Sequence, residues 1–403
     1  MRLARAIVLS GLRRVHSGRV ELVENGERLL FGPEGAELAV RIEVHDPAAW
    51  RRFLRGSHGV AETYLDGAWD CDDLVSLVRI GAREVPRIDW LRRALLPLRR
   101  LLERVPHNTI GASRRHIAAH YDLGNELFAT FLDETMTYSC AAFDAPELTL
   151  REAQEAKLER ICRKLDLGPG DHLLEIGTGW GGLAVHAALN YGCQVTTTTI
   201  SREQRELAQQ RVVEAGVADR VSVLLEDYRD LSGRYDKLVS IEMIEAVGWQ
   251  YFDTFFRRCS ELLEPNGLML LQAITIDGRD YELEKAARSF ANTYVFPSGC
   301  LPSLEVIGGC AGRAHLTEVD REDLTESYPI TLRRWRENFI AARHRVAELG
   351  YDERFRRLWA LYLCWCEGGF IERRIEDHQL LLVAPGRRDE AVSDGERALS
   401  LAG

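Results

Sequence analysis

The stretch LLEIGTGWGGLAVHAA, residues 173–188, constrains this chain more than any other. An apolar run enters a cluster of four glycines, Gly177, Gly179, Gly181 and Gly182, and leaves into helical periodicity. Glycines allow left-handed backbone and close approach to a ligand, and the helix start aims unpaired amides at it. Such a turn belongs to a strand–turn–helix unit, and the flanking sequence repeats that unit. Helical patterns over 151–164, 183–191, 202–215 and 251–263 alternate with the apolar runs HLLEIG, QVTTTT, RVSVLLED, YDKLVSIEM, GLMLLQAITI and, much later, HQLLLVAP. The alternation predicts a doubly wound, mainly parallel α/β sheet of Rossmann-like type.

The rest of the chain reads differently. Residues 1–85 hold short β-like runs (VELVE, ERLLFG, AVRIEV) and a helix-like stretch from Ala48 to about Leu65, which predicts a small α+β domain. Residues 86–112 form a basic linker, and within it RIDWLRRALLPLRRLLER carries six arginines among leucines. That pattern suits a helix on an anionic membrane surface, and it equally suits a bridging helix kinked at Pro97. Residues 277–375 interrupt the β/α repeat with PSGCLPS and the aromatic-rich FRRLWALYLCWCEGGF, and an insert in that place is expected to form a lid or substrate wall. Residues 391–403 are read as a flexible tail. With 52 basic against 62 acidic residues the chain carries a net charge of -10, which excludes a polycation built to coat nucleic acid. No run approaches the length of a membrane span or a signal-peptide core, so a cytoplasmic location is expected. The nine cysteines form no CxxC pair or zinc spacing, so reduced thiols and no metal are expected.

Gly177-x-Gly179-x-x-Gly182 formally satisfies the dinucleotide fingerprint, but that motif wants an acid at the end of the next strand, where this chain has Thr196 to Thr199. A carboxylate instead precedes the loop at Glu175, as in loops that bind the cationic S-adenosylmethionine. Downstream, Asp227 and Tyr228 of LLEDYRD stand where an adenine meets an acid and an aromatic ring.

The series HYDLGNELFATFLDETMTYSCAAF, LLEIGTGWGGLAVHAA, ISREQ, LEDYRDL, SIEMIEAVG and YLCWCEGGF resembles the cyclopropane-fatty-acyl-phospholipid synthases and their mycolic-acid-modifying relatives. The likeness runs through nearly the whole chain, and GVAETYLDGAWDCDDL looks like the family's N-terminal lipid-binding domain. The resemblance implies a methyltransferase domain over 113–390 that transfers a methylene from S-adenosylmethionine to the cis double bond of an unsaturated phospholipid acyl chain. It implies cofactor contacts from Tyr121, Tyr138, Ser139, Glu175, Gly177, Gly179, Trp180, Thr199, Ile200, Gln204, Asp227 and Tyr228. It further implies a bicarbonate base held by the Cys140 loop, Glu245 and Tyr328, with Cys366 lining the same cavity. Where many members have histidine in LLHTI this chain has Gln272, which can donate a hydrogen bond but cannot titrate. Glu242 and His120 are read as a helix-start carboxylate and an ordinary helix residue.

The chemistry sets its own demands. An isolated alkene is a poor nucleophile, so positioning, which can contribute about 7–11 kcal/mol, must dominate. The methylated chain then carries a carbocation that water would trap, so the wall should be apolar and aromatic, with Phe128, Phe143, Tyr294, Phe296, Trp365 and Phe370 as candidates. Proton loss from a neighbouring chain carbon would give a methylene- or methyl-branched product instead of a ring. A small-molecule methyltransferase and a non-catalytic lipid-binding protein stand as further alternatives. Membrane contact is expected to be peripheral, on the inner face, and the sequence leaves a homodimer open.

Overall fold

The computed structural model describes residues 1–94, 96, 123–286, 290–296 and 299–386. These fall into two compact units, one of Met1–Val105, Glu282–Pro297 and Thr325–Ile375, the other of Pro106–Tyr281, Ser298–Leu324 and Glu376–Gly403. The segment expected as a single insert is therefore shared between the two.

In the first unit, β1 (Arg19–Glu24), β2 (Glu27–Phe31), β3 (Ala39–Val44) and β4 (Trp69–Cys71) make a sheet in the order β2-β1-β3-β4. The β1–β2 hairpin turns through Asn25 and Gly26, both at positive φ, and β3 returns parallel to β1. The helix expected from Ala48 to about Leu65 is broken. Ala49–Phe53 and Ser57–Leu65 are separate helices: the first closes at Leu54, and Gly56, at φ +70°, takes a backbone angle outside the helical range and stands as the N-cap of the second. A longer helix, Leu74–Ala94, continues through Pro86 into the basic segment, most of which lies outside the described residues, as do Tyr121 and His120. The aromatic-rich segment forms the helix Glu353–Ile371, and Tyr328 begins the helix Ser327–Ala341. Phe370 stacks on Tyr328 with ring centroids 4.1 Å apart.

In the second unit, β5 (His172–Ile176), β6 (Gln194–Thr198), β7 (Val221–Leu224), β8 (Tyr235–Ile241), β9 (Leu263–Ile276), β10 (Thr317–Asp323) and β11 (Ile375–Val383) form a seven-stranded sheet, ordered β10-β11-β9-β8-β5-β6-β7. Strands β7, β6, β5, β8 and β9 run parallel, and β10 runs antiparallel to β11. Alternation along each strand supplies two apolar faces. Leu174, Leu238, Met269, Leu271, Leu380 and Leu382 pack on one face against the helices Phe252–Leu262 and Leu304–Arg313. Leu173, Val239 and Leu270 pack on the other against Leu150–Lys164, Gly182–Tyr191 and Arg202–Glu214. The helix Leu150–Lys164 starts at a capping box in which Thr149 and Glu152 satisfy each other's backbone amides. Strand β10, TEVDRED, has no counterpart in the sequence reading, because an exposed edge strand needs no apolar alternation and this one is mostly charged.

The strand order reverses between β5 and β8: the connection from β5 leads to β6 and β7, while β8 leads to β9 on the other side. In such sheets the crevice at the carboxyl ends of the strands, beside the switch, is where ligands bind. The loops that follow β5, β6, β7 and β8 all leave their strands at that end.

Candidate active site

Gly177, directly after β5, has φ +105°, and a Cβ there would come within 3.4 Å of Met243. The backbone angle disfavours a side chain at that position, whereas the Met243 contact is an ordinary one. Gly181, at φ +85°, caps the helix Gly182–Tyr191. The loop therefore turns tightly from strand to helix and leaves a cleft above it. Tyr138, Ser139, Glu175, Gly177, Gly179, Trp180, Thr199, Ile200, Gln204, Asp227 and Tyr228 all line that cleft, as do Lys157 and Glu242.

Each wall of the cleft has a local cause. Trp180 is fully buried, its ring 4.8 Å from Phe128 and its Nε1 donating to Asn125 Oδ1 at 2.6 Å. Thr199, at the end of β6, donates to Gln204 Oε1 at 2.8 Å and so fixes the first turn of the next helix. Asp227 is held in a fork by Arg229, whose Nε and Nη2 each donate at 2.7 Å. Burial pushes the Tyr228 hydroxyl up, and that hydroxyl has no hydrogen-bond partner among the described residues.

Glu175 ends β5 at 4% exposure, and Thr197 donates to its Oε2 at 2.6 Å. Burial raises its pKa to about 8, with the Thr197 hydrogen bond acting the other way. A buried carboxylate so poorly compensated is costly to ionise unless a cation is placed beside it. The site thus fits a positively charged ligand, and its lining of glycine backbone, Thr199, Gln204, Asp227 and Tyr228 fits an adenosine. Such a ligand would drive Glu175 to ionise. Calorimetric titration of S-adenosylmethionine near pH 7 is expected to release a proton, visible as a heat that changes with the buffer's ionisation enthalpy. Affinity should rise with pH up to about 8, and Glu175→Gln should bind more weakly with the pH dependence gone.

Beyond the glycine loop lies a cluster of acids that includes, among the described residues, the buried cation Lys157. Glu242 Oε1 accepts from the Cys140 backbone N–H and from Gln272 Nε2, both at 2.8 Å. Gln272 Nε2 also donates to Asp377 Oδ2 at 2.9 Å, and Gln272 Oε1 accepts from Gln379 Nε2 at 3.1 Å. Glu245 Oε1 accepts from the Ile274 amide at 2.5 Å, while its Oε2 is buried with no partner among the described residues. Lys157 is fully buried and donates to Ser139 Oγ at 2.6 Å. Desolvation lowers its pKa, opposed first by Glu242. Burial and the Glu242 charge raise Glu245 to about 8, and burial with Glu242 and Glu245 pushes Asp377 well above the usual carboxylate range.

Of the residues expected to do chemistry, Cys140, Gln272 and Glu245 come together here. Cys140 is fully buried, its Sγ facing the carbonyls of Ala141 and Leu324. Tyr328 and Cys366 belong to the first unit. Glu242, Lys157 and Asp377 were not expected in the site. The two acids of SIEMIE, three positions apart, carried a signal for the first; nothing local marks the others. Among the described residues no group of side chains could hold a metal ion.

Residues 109–380 match the family described as mycolic acid cyclopropane synthetase. The chain belongs to that family. It is an S-adenosylmethionine-dependent methyltransferase of the cyclopropane synthase family, acting on carbon of fatty acyl double bonds. The tuberculostearic acid methyltransferase of Mycobacterium tuberculosis is 40% identical over 359 residues, 85% of this chain and 83% of that one. The cyclopropane-fatty-acyl-phospholipid synthase of Escherichia coli is 38% identical over 348 residues, 84% of this chain and 87% of that one. Among solved structures, a mycolic acid cyclopropane synthase in complex with S-adenosylhomocysteine superposes with a TM-score of 0.64 at 31% identity, covering 70% of this chain and 99% of that one. No described helix is long and apolar enough to cross a membrane.

Proposed function

We propose that this protein is a cyclopropane-fatty-acyl-phospholipid synthase, acting on cis-unsaturated acyl chains of phospholipids at the inner face of the membrane, to which it binds peripherally from the cytoplasm. The observation that carries the reading is the extent of the likeness. The mycolic acid enzyme is matched over nearly all of its length by 70% of this chain, whereas the phospholipid synthase aligns with 84% of it. What distinguishes this chain from the mycolic acid enzymes is thus shared with an enzyme of phospholipids.

When bound, S-adenosylmethionine supplies an electrophilic methyl group. Glu175 would take its positive end, Thr199 and Gln204 its ribose, and Asp227 with Tyr228 its adenine. Trp180 and Phe128, packed on Tyr138, close the wall beside the loop and exclude water from it. After methyl transfer the acyl chain must lose a proton, a step that the family resemblance assigns to a bicarbonate ion beside Cys140, Glu245 and Tyr328.

A second reading, a methyl- or methylene-branched product, is favoured by the 40% identity to a tuberculostearic acid methyltransferase. The test is proton NMR of fatty acid methyl esters from a bacterium lacking cyclopropane lipids and expressing this chain. Ring protons upfield are expected; vinylidene protons downfield, or a new methyl doublet, would replace the first reading by the second. No new signal, with no S-adenosylhomocysteine released on unsaturated vesicles, would overturn both.

A further inference from the structure

The place expected for bicarbonate does not fit a free anion. The Cys140 amide and the Gln272 side-chain amide, the donors such an ion needs, both converge at 2.8 Å on Glu242 Oε1. Asp377 and Glu245 crowd the same place beside the buried cation Lys157, and burial and mutual repulsion already drive both acids toward their protonated forms. A further anion would add to that repulsion. Glu242 also sits in an unusual backbone state. At φ +47° it is one of the few left-handed non-glycine residues among the described ones, just past the end of β8, and its amide is pinned to the Gln272 carbonyl at 2.9 Å. Holding a glutamate in that conformation costs on the order of 1–3 kcal/mol, and such strain persists where surrounding contacts impose it. Here those contacts aim the carboxylate into the cleft that Glu175 and Gly177 line.

We propose that Glu242 is the proton acceptor of this enzyme, its side-chain carboxylate standing in place of a bound bicarbonate. The assignment rests on the alkene-methylating reading given above. The alkene π pair forms a bond to the transferred methyl carbon while the carbon–sulfur pair leaves with sulfur, so the neighbouring chain carbon becomes electron-deficient. The electron pair of one C–H bond of the new methyl then closes the second carbon–carbon bond of the ring. Its proton passes to the Glu242 carboxylate and from there to water. Two hydrogen bonds on Oε1 draw electron density from the carboxylate, which disfavours its covalent capture by the cation. Gln272 is a positioning residue in this scheme: having no proton to give or take, it holds the acceptor without competing for the proton.

The test follows S-adenosylhomocysteine release and ring formation on vesicles of cis-unsaturated phosphatidylglycerol, in carbon dioxide-free buffer with or without millimolar bicarbonate. The wild-type rate is expected to be unchanged by bicarbonate. Glu242→Gln should lose about 100-fold or more, and Glu242→Gly, which vacates the two donors and relieves the strained φ, should lose as much but recover in part with bicarbonate and not with chloride. Affinity for S-adenosylmethionine, by calorimetry, should stay within about threefold in both variants, which separates loss of the acceptor from loss of the fold. A wild-type rate that forms ring product and climbs tenfold with bicarbonate overturns this assignment alone, even if neither variant folds. A wild-type enzyme silent at every bicarbonate concentration overturns the alkene-methylating reading and this one with it. Full activity in Glu242→Gln overturns the assignment as well.

Discussion

Lys157→Met is expected to destabilise the protein by about 3–5 kcal/mol at pH 8, and far less at pH 5. Methionine fills nearly the volume of lysine, so the loss is electrostatic rather than a cavity. The wild-type ammonium is a buried cation facing Glu242 and Asp377, and removing one partner from a buried charged group leaves the others less compensated. Those carboxyls respond by binding protons. The folded variant then holds more protons than the unfolded chain between roughly pH 5 and pH 8, so its stability falls as pH rises through that range. Wild-type protein has the same sign with smaller slope, since Glu175 and Glu245 are both raised to about 8 and their stabilisation is lost as pH climbs through that value. Urea titrations at pH 5 and pH 8 measure the difference, and adding Asp377→Asn should restore part of the loss. Equal destabilisation at both pH values would show that Lys157 acts by packing alone.

Trp180→Ala is expected to cost about 3–5 kcal/mol and to abolish measurable binding of S-adenosylmethionine. Its ring is 1% exposed and touches Phe128, which in turn packs edge-on against Tyr138 at 5.3 Å. Its Nε1 is the donor to Asn125 Oδ1, so truncation strands a polar group as well as opening a void. Trp180→Phe retains the ring and loses the hydrogen bond, and should fall between the two. Thermal melts with and without the cofactor separate the effects, because the void and the lost Asn125 hydrogen bond persist in its absence while the loss of binding does not show.

The glycine loop was readable because its demands are local: Gly177 and Gly181 adopt backbone angles that the residue type itself favours, and Thr199, Gln204, Asp227 and Tyr228 follow strand ends at fixed offsets. The β/α repeat was readable for the same reason, and the helix boundaries differ from expectation by only a residue or so. The acid cluster was not. Lys157 lies on an amphipathic helix and Asp377 on a strand 105 residues beyond Gln272, and each is an ordinary charged residue until burial makes it costly. By its sequence Glu242 reads as a helix-start carboxylate, yet its left-handed φ places it just outside the strand with its side chain turned to Cys140. Such backbone angles are uncommon for glutamate and carry no compositional warning.

The strand β11 gives the sheet its last interior member, and Asp377 and Gln379 on it complete the hydrogen bonds of Gln272. During synthesis, therefore, the whole glycine loop and the strand ends beside it are made long before the polar anchor of Gln272 has left the ribosome.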